Sequence, residues 1–263
     1  MRLNRFLAHC GLGSRRSCEQ LIRAGRIVVN GVGVTDLATR VDPAVDTVEY
    51  KGKTLRAVRP PEYLAYHKSK GPVVTHRDPR GRRTVFEAIE EGTGRSAAHL
   101  NYIGRLDRNS EGLLLLTNDG AMIHGLTHPR FHIKKIYRVR TERPLDNEAL
   151  RRMTHEGVES RGQVLHAKAV KPVPSPHGGR RGEHWYEVHL LEGKNRQIRR
   201  MFESLSHRIV RLKRVRFGPI NLGNQKRGSI RELTEEEIEA LRRVGYRQGE
   251  GAKERRGWGT TGR

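Results

Sequence analysis

Hydrophobic runs are short throughout this chain of 263 residues. None approaches the roughly 20 residues a bilayer-spanning helix needs. The start, MRLNRFLAHCGLGSRRS, has neither a continuous apolar core nor a small-residue cleavage pattern, so no secretory signal is expected. Cysteine is scarce: Cys10 and Cys18 are the whole supply. Two thiols cannot staple a chain of this size, and they have no metal-ligating company, so free thiols in a reducing cytoplasm are expected. Aromatic residues make up 5% and form no run like an RNA-recognition sheet signature. Gly11-Leu12-Gly13 is too short for a nucleotide loop, and no glycine-rich loop ends in Lys-Ser or Lys-Thr. Ser110 lacks the glycine-flanked elbow of a hydrolase nucleophile. His124, His128 and His132 are spaced four apart, but Pro129 interrupts any helix through all three and no carboxylate completes a set. No metal site is expected.

Acidic residues are also in deficit. Against 52 Lys plus Arg stand 29 Asp plus Glu, a formal net charge of +23. Such a field favours polyanions, and nucleic acid is the first partner to consider. An anionic membrane surface ranks second, but no long amphipathic helix with a bulky apolar face is present.

Residues 1–50 read as a small unit. Leu3, Phe6, Leu7 and Cys10 recur at helical spacing, and Gly11 follows as a stop. Ser14 offers an N-cap to a second helix bearing Cys18, Leu21 and Ile22, which Gly25 ends. Asn30-Gly31 between valine-rich arms signals a tight hairpin. Arg15, Arg16, Arg23 and Arg26 decorate the second helix and the turn after it. Residues 51–62, with Pro60-Pro61, read as a linker. A longer domain, 63–243, has strand candidates in EYLAYHK, IYRVRTE, QVLHAKAVKPV and HWYEVHLLEG, with PSPHGGRRGE as a loop. Helices are expected over 84–91, 119–127, 145–155, 194–205 and 234–243. Strands and helices do not alternate strictly, so the fold class is α+β, with a mixed, mainly antiparallel sheet flanked by helices. Residues 244–263 read as a disordered basic tail.

Two stretches carry the chemistry. In KNRQIRRMFESLSHRIVRLKRVR, residues 194–216, Ile198, Met201, Phe202 and Leu205 define a buried helix face. Arg199 lies at its edge, where its head can reach inward to a carboxylate. The following strand changes phase, which predicts a bulge near Lys213 and Arg214. In GRLDRNSEGLLLLTNDG, residues 104–120, Asp107 sits between Arg105 and Arg108. NSEG reads as a turn and Leu113–Leu116 as a buried strand. Asp107 is then on a loop at the edge of the core, where neighbouring arginines favour its ionised form. Such a carboxylate is a candidate nucleophile.

GRLDRNSEGLLLLTNDG resembles the signature of the RsuA/RluB family of ribosomal RNA pseudouridine synthases. HKSKGPVVTHRDPRGRRTVFEAI, HPRFHIKKIYRV, EGKNRQIRRMFESLSHRIVRLKRVRFGPINL and RELTEEEIEAL resemble further family segments in the same order, and residues 1–50 resemble an S4 RNA-binding domain. The resemblance covers about residues 2–243. It implies a cofactor-independent isomerisation of uridine to pseudouridine in ribosomal RNA, with the target base flipped out. It casts Asp107 as nucleophile, Tyr137 as the base-stacking residue and a candidate for proton removal, Arg199 as the partner of Asp107, and Leu212 as a wall of the uracil pocket. Arg105 and Arg108 are expected to position RNA or the loop. Arg15, Arg16, Arg23, Arg26, Arg196 and Arg200 are expected to meet phosphates. The chain departs from the family's usual Asn-Lys-Pro-Lys-Gly at HKSKG, where His67 and Ser69 stand, and again at Arg227-Gly228. The resemblance leans toward large-subunit RNA and a cytoplasmic monomer. A non-enzymatic assembly factor on a spent fold and a transfer-RNA modifying enzyme are the alternatives.

Overall fold

A computed structural model describes residues 1–56, 60–176 and 182–250, with side chains through Gly245 at the C-terminal end. The chain divides into two units, Met1–Pro61 and a second beginning at Glu62. Among the described residues no helix is long and apolar enough to cross a membrane.

In the first unit, α1 (Leu3–His9) and α2 (Arg15–Arg23) bury Leu3, Phe6, Leu7, Cys18 and Ile22 against Ile27, Val41 and Val48. Ser14 caps α2 by accepting from the Ser17 amide at 3.1 Å. Strands β1 (Ile27–Val29) and β2 (Val32–Val34) are joined by Asn30 and Gly31, whose φ values of 50° and 81° are those of a two-residue hairpin matching strand twist. β3 (Val48–Tyr50) pairs with β1. A second tight turn at Lys51-Gly52 returns the chain as β4 (Lys53–Thr54), paired with β3. The stretch expected as a linker from residue 51 therefore begins inside the first sheet.

The second unit is built on β5 (Tyr63–Lys68), α3 (Val85–Thr93), β6 (Asn101–Ile103), β7 (Glu111–Thr117), α4 (Gly120–Thr127) and β8 (Lys135–Thr141). There follow α5 (Asn147–Arg151), β9 (Val158–Ser160), β10 (Gln163–Leu165), β11 (Ala169–Val173) and β12 (His184–Leu190). The chain closes with α6 (Gln197–Ser204), β13 (Ile209–Phe217), β14 (Ile220–Asn221), β15 (Ile230–Glu232) and α7 (Glu235–Glu250). One mixed sheet runs β11-β12-β8-β13-β7-β5-β15, with β14 on β13 and β6 on β7. All its pairings are antiparallel except β13 with β7, which run parallel for two registered pairs, Lys213–Glu111 and Arg214–Gly112. Gly112 has φ 110°, and a Cβ there would collide with the Arg214 backbone. Glycine is what lets the two strands close up.

Strand alternation sorts the sheet into two faces. Leu64, Tyr66, Leu114, Leu116, Tyr137, Val139 and Leu212 pack with Val85, Phe86 and Ile89 of α3 and with Ile198, Met201 and Phe202 of α6. Tyr63, Ala65, Leu113 and Leu115 pack under α4 and α7 through Met122, Leu126, Ile238 and Leu241. That second cluster contains no residue of β8, β11 or β12.

Several sequence expectations shift. QVLHAKAVKPV is not one strand. β9 and β10 form a separate hairpin, and Ala167 and Lys168 cross over to the main sheet by bonding Met153 O and His189 O, each at 2.8 Å. The helix expected over 145–155 changes after α5 into one wider turn, Arg152–Glu156. β13 shifts register twice, between Ile209 and Arg211 and between Arg214 and Arg216, the second beside the expected bulge. Residues 244–250, expected in the tail, continue α7, because Gly245 lies where α4 and α7 cross: a Cβ at Gly125 would stand 2.6 Å from Gly245 O. The remainder of the tail and residues 177–181 of the expected loop lie outside the described residues.

Candidate active site

The loop holding Asp107 is a turn closed by Ser110 N donating to Asp107 O at 3.0 Å. The turn expected at NSEG thus falls earlier, at residues 107–110. Glu111 and Gly112 already belong to β7, since Gly112 is needed against β13. From below, the fully buried Lys68 Nζ donates to Ser110 O (2.9 Å), Ser69 O (3.0 Å) and Asp107 O (3.2 Å). Gly71 N donates to Arg108 O at 2.9 Å. The backbone on both sides of the carboxylate is therefore fastened while the carboxylate itself stays half-exposed. Burial pulls the Lys68 ammonium down to about 8, opposed by the charges of Asp107 and Glu111 and assisted by Arg214.

Above the loop lies a cleft of about 80 Å³ lined by Asp107, Tyr137, Ile198, Arg199 and Leu212, with Arg105 and Arg196 also in its wall. Tyr137 enters from β8 and Leu212 from the cleft-facing side of β13; both are buried at their bases by the first hydrophobic cluster. A larger groove, about 390 Å³, adjoins it and is lined by Glu203, Ser206, His207, Arg208 and Ile209. Arg199 is the wall common to both, but the groove contains no part of the Asp107 turn, so the smaller cleft is where a carboxylate meets an aromatic ring.

The direct ion pair expected between Arg199 and Asp107 is not formed. Arg199 Nη2 donates to Asn109 O at 2.8 Å, within the Asp107 turn, and among the described residues no Arg199 nitrogen forms an ion pair with the Asp107 carboxylate. Burial lowers the Arg199 guanidinium from its ordinary value, and the charge of Asp107 works against that. Arg199 thus clamps the turn while presenting positive charge across the cleft.

The other arginines separate. Arg105 is exposed and lines the cleft, whereas Arg108 is exposed outside it. Arg196 is exposed at the cleft wall and pairs with Glu203 at 3.1 Å. Arg15, Arg16, Arg23 and Arg26 are all exposed on the first unit. Arg200 does not fit its expected contact with RNA. It is 5% exposed and donates to Ser160 O, Gln163 Oε1 and Asn195 O, pinning the β9–β10 hairpin onto α6. Gln197, one turn earlier on the same side of α6, is buried with it.

Lys68 and Gln197 went unrecognised in the sequence. Gln197 donates to His166 O (3.0 Å) and Glu192 Oε1 (2.7 Å) and accepts from Lys194 N, shaping the entry to α6. The apolar run before Lys68 was a usable signal, since a lysine ending a fully buried strand has to find acceptors inside.

Residues 62–204 match the model of the RNA pseudouridylate synthase family, and residues 1–46 match the S4 domain. An uncharacterised RNA pseudouridine synthase of Rickettsia prowazekii is 34% identical over 238 residues, 90% of this chain and 96% of that protein. Ribosomal large subunit pseudouridine synthase B of Xanthomonas campestris is 38% identical over 247 residues, 92% of this chain but 49% of that protein, so the chain spans about half the length of that relative. A crystal structure of a pseudouridylate synthase superposes with a TM-score of 0.61 at 27% identity, covering 92% of this chain and 99% of the other. With an S4 domain ahead of a catalytic sheet, the chain belongs to the RNA pseudouridylate synthase family.

Proposed function

We propose that this protein converts a uridine of large-subunit ribosomal RNA to pseudouridine, with Asp107 as nucleophile and the target nucleotide flipped into the cleft. The observation that carries this is the Asp107 turn, fastened by Lys68 from below and by Arg199 from the side, opening onto Tyr137 and Leu212. Fixed backbone and a half-exposed carboxylate are what an attacking group needs. The relatives named for large-subunit RNA support the choice of substrate.

Extruding a base costs a few kcal/mol, roughly, less in a loop. Phosphate contacts at Arg105 and Arg196, and at the exposed arginines around α2, offset that cost. Asp107 then attacks the target nucleotide or assists cleavage of its N1–C1′ glycosidic bond. The uracil turns within the pocket, held by stacking on Tyr137 and by Leu212. Its C5 bonds to C1′, the C5 proton leaves with Tyr137 as the candidate acceptor, and N1 gains a proton. Atoms balance without a cofactor. Arg199 stabilises the carboxylate's charge across the cleft and holds the turn in place. The protein acts as a cytoplasmic monomer in this reading.

Asp107→Asn is expected to bind RNA as before and to form no pseudouridine on unmodified large-subunit transcripts. Turnover retained in that variant ends the assignment. Site mapping across large-subunit, small-subunit and transfer RNA separates the substrate classes. RNA binding with no modification by the intact protein would instead favour an assembly factor.

A further inference from the structure

The sheet face opposite the cleft holds an unbalanced cluster of charge. Lys213 alternates with Leu212 and Arg138 with Tyr137, so both point away from the cleft, and they are direct cross-strand partners. On its other side Lys213 pairs with Glu111. Glu111 is already engaged: Arg211 Nε donates to it, and Arg227 lies 3.5 Å away. Glu187 stands opposite Arg138 on β12, with one carboxylate oxygen bonded to His189 and no ion pair to Arg138. Among the described residues neither Lys213 nor Arg138 makes an ion pair, and Arg138 Nε is buried without a hydrogen-bond partner. His67 adds no further positive charge, since burial holds it below its ordinary value, and its Nδ1 is used on Gln225 O at 2.7 Å.

Like charges directly opposite one another in a sheet are destabilising. Burial lowers the Lys213 ammonium, and Arg211, Arg227 and Arg138 lower it further against Glu111 alone. No helix of the second cluster covers this part of the face, which leaves Lys213 and Arg138 half-exposed and Arg227 exposed. Four cations, Arg138, Lys213, Arg211 and Arg227, stand here against two carboxylates, Glu111 and Glu187, and such an excess at a surface fits a polyanion laid across it.

We propose that Arg138, Lys213 and Arg227 form a backbone-phosphate site on the sheet face opposite the cleft, holding the substrate RNA at a point remote from the target uridine. The site rests on the reading that RNA is the substrate, but not on the chemistry of Asp107. Neutralising two phosphate-binding cations shifts the slope of log affinity against log salt by roughly 1.4–1.8.

The test is binding of the full-length protein to unmodified large-subunit ribosomal RNA across a KCl series, with turnover on the same transcript. For Arg138→Gln/Lys213→Gln the expected result is a salt slope reduced by roughly 1.4–1.8, a KM raised about tenfold and kcat unchanged. The charge-keeping swap Arg138→Lys/Lys213→Arg is expected to retain the wild-type slope. In low salt without RNA, the double glutamine variant is expected to melt no lower than wild type, because repulsion is relieved. A slope unchanged in the double glutamine variant overturns the proposal, as does one reduced equally by the charge-keeping swap. Should the double variant not fold, Lys213→Met alone is read the same way, with an expected slope reduction of roughly 0.7–0.9. If the wild-type protein forms no pseudouridine yet the slopes separate as stated, the phosphate site stands and the reaction assigned to Asp107 falls.

Discussion

Helices α2 and α6 look alike in sequence, each a short amphipathic segment studded with arginine, yet their arginines meet different fates. On α2, Arg15, Arg16 and Arg23 are all exposed, and among the described residues none is ion-paired. On α6 and at its N-cap, Arg196 pairs with Glu203, Arg199 clamps the Asn109 carbonyl, and Arg200 is sealed against the β9–β10 hairpin. What differs is the chain lying opposite. A guanidinium goes inward only where backbone oxygens await it, because five donors left dry cost far more than the charge returns.

The largest effect expected from breaking this contrast is at Arg200. Arg200→Met strips oxygens of Ser160, Gln163 and Asn195 of their buried donor and is expected to lose about 3 kcal/mol of stability, read from the denaturant midpoint. An unchanged midpoint would place Arg200 with the α2 arginines after all. Next is Arg199→Lys, which keeps the charge and loses the planar fork, so it cannot hold Asn109 O and face Asp107 together. A fall in kcat of roughly 30-fold, about 2 kcal/mol, with little change in KM is expected from single-turnover kinetics.

Burial, the property separating the two helices, also acts on lysine. Lys68 and Lys135 both give up a proton near pH 8 in the folded chain instead of near 10.5, chiefly through desolvation. Between those values the unfolded chain binds more protons, so stability should climb as pH rises from 8 to 9.5. The expected gain is about 2 kcal/mol per pH unit for the two lysines together, measured by denaturation across that range, and Lys68→Met should roughly halve it. The smallest effect belongs to α2. Arg15→Gln/Arg16→Gln/Arg23→Gln should leave the melting temperature and kcat unchanged and reduce the salt slope of RNA binding by roughly 2.

Much of this was legible beforehand. The Asn30-Gly31 hairpin, the Ser14 cap, the four-leucine strand and the buried face of α6 are local patterns whose cause lies within a few residues. Asp107 stands out by its loop and flanking arginines, Tyr137 and Leu212 by motif resemblance, and the structure brings the three into one cleft. What escaped notice depends on partners distant in sequence. Lys68 looks like a surface lysine until Ser110 O comes within 2.9 Å across the sheet. Arg200 reads as one more phosphate ligand until the β9–β10 hairpin folds over it. Lys213 and Arg138 are 75 positions apart, and only β-sheet register makes them neighbours. The Arg199–Asp107 pair went the other way: spacing allowed it, but a nearer carbonyl won.

The parallel join between β13 and β7 has a consequence of its own. Two registered pairs unite five strands on one side with four on the other, and Tyr137 belongs to the first group while the Asp107 turn leads into β7 of the second. The Asp107 carboxylate and the Tyr137 ring are thus mounted on opposite banks of a narrow bridge. Gly112 sets the width of that bridge, so Gly112→Ala would spread the banks and misalign both groups while altering neither of them.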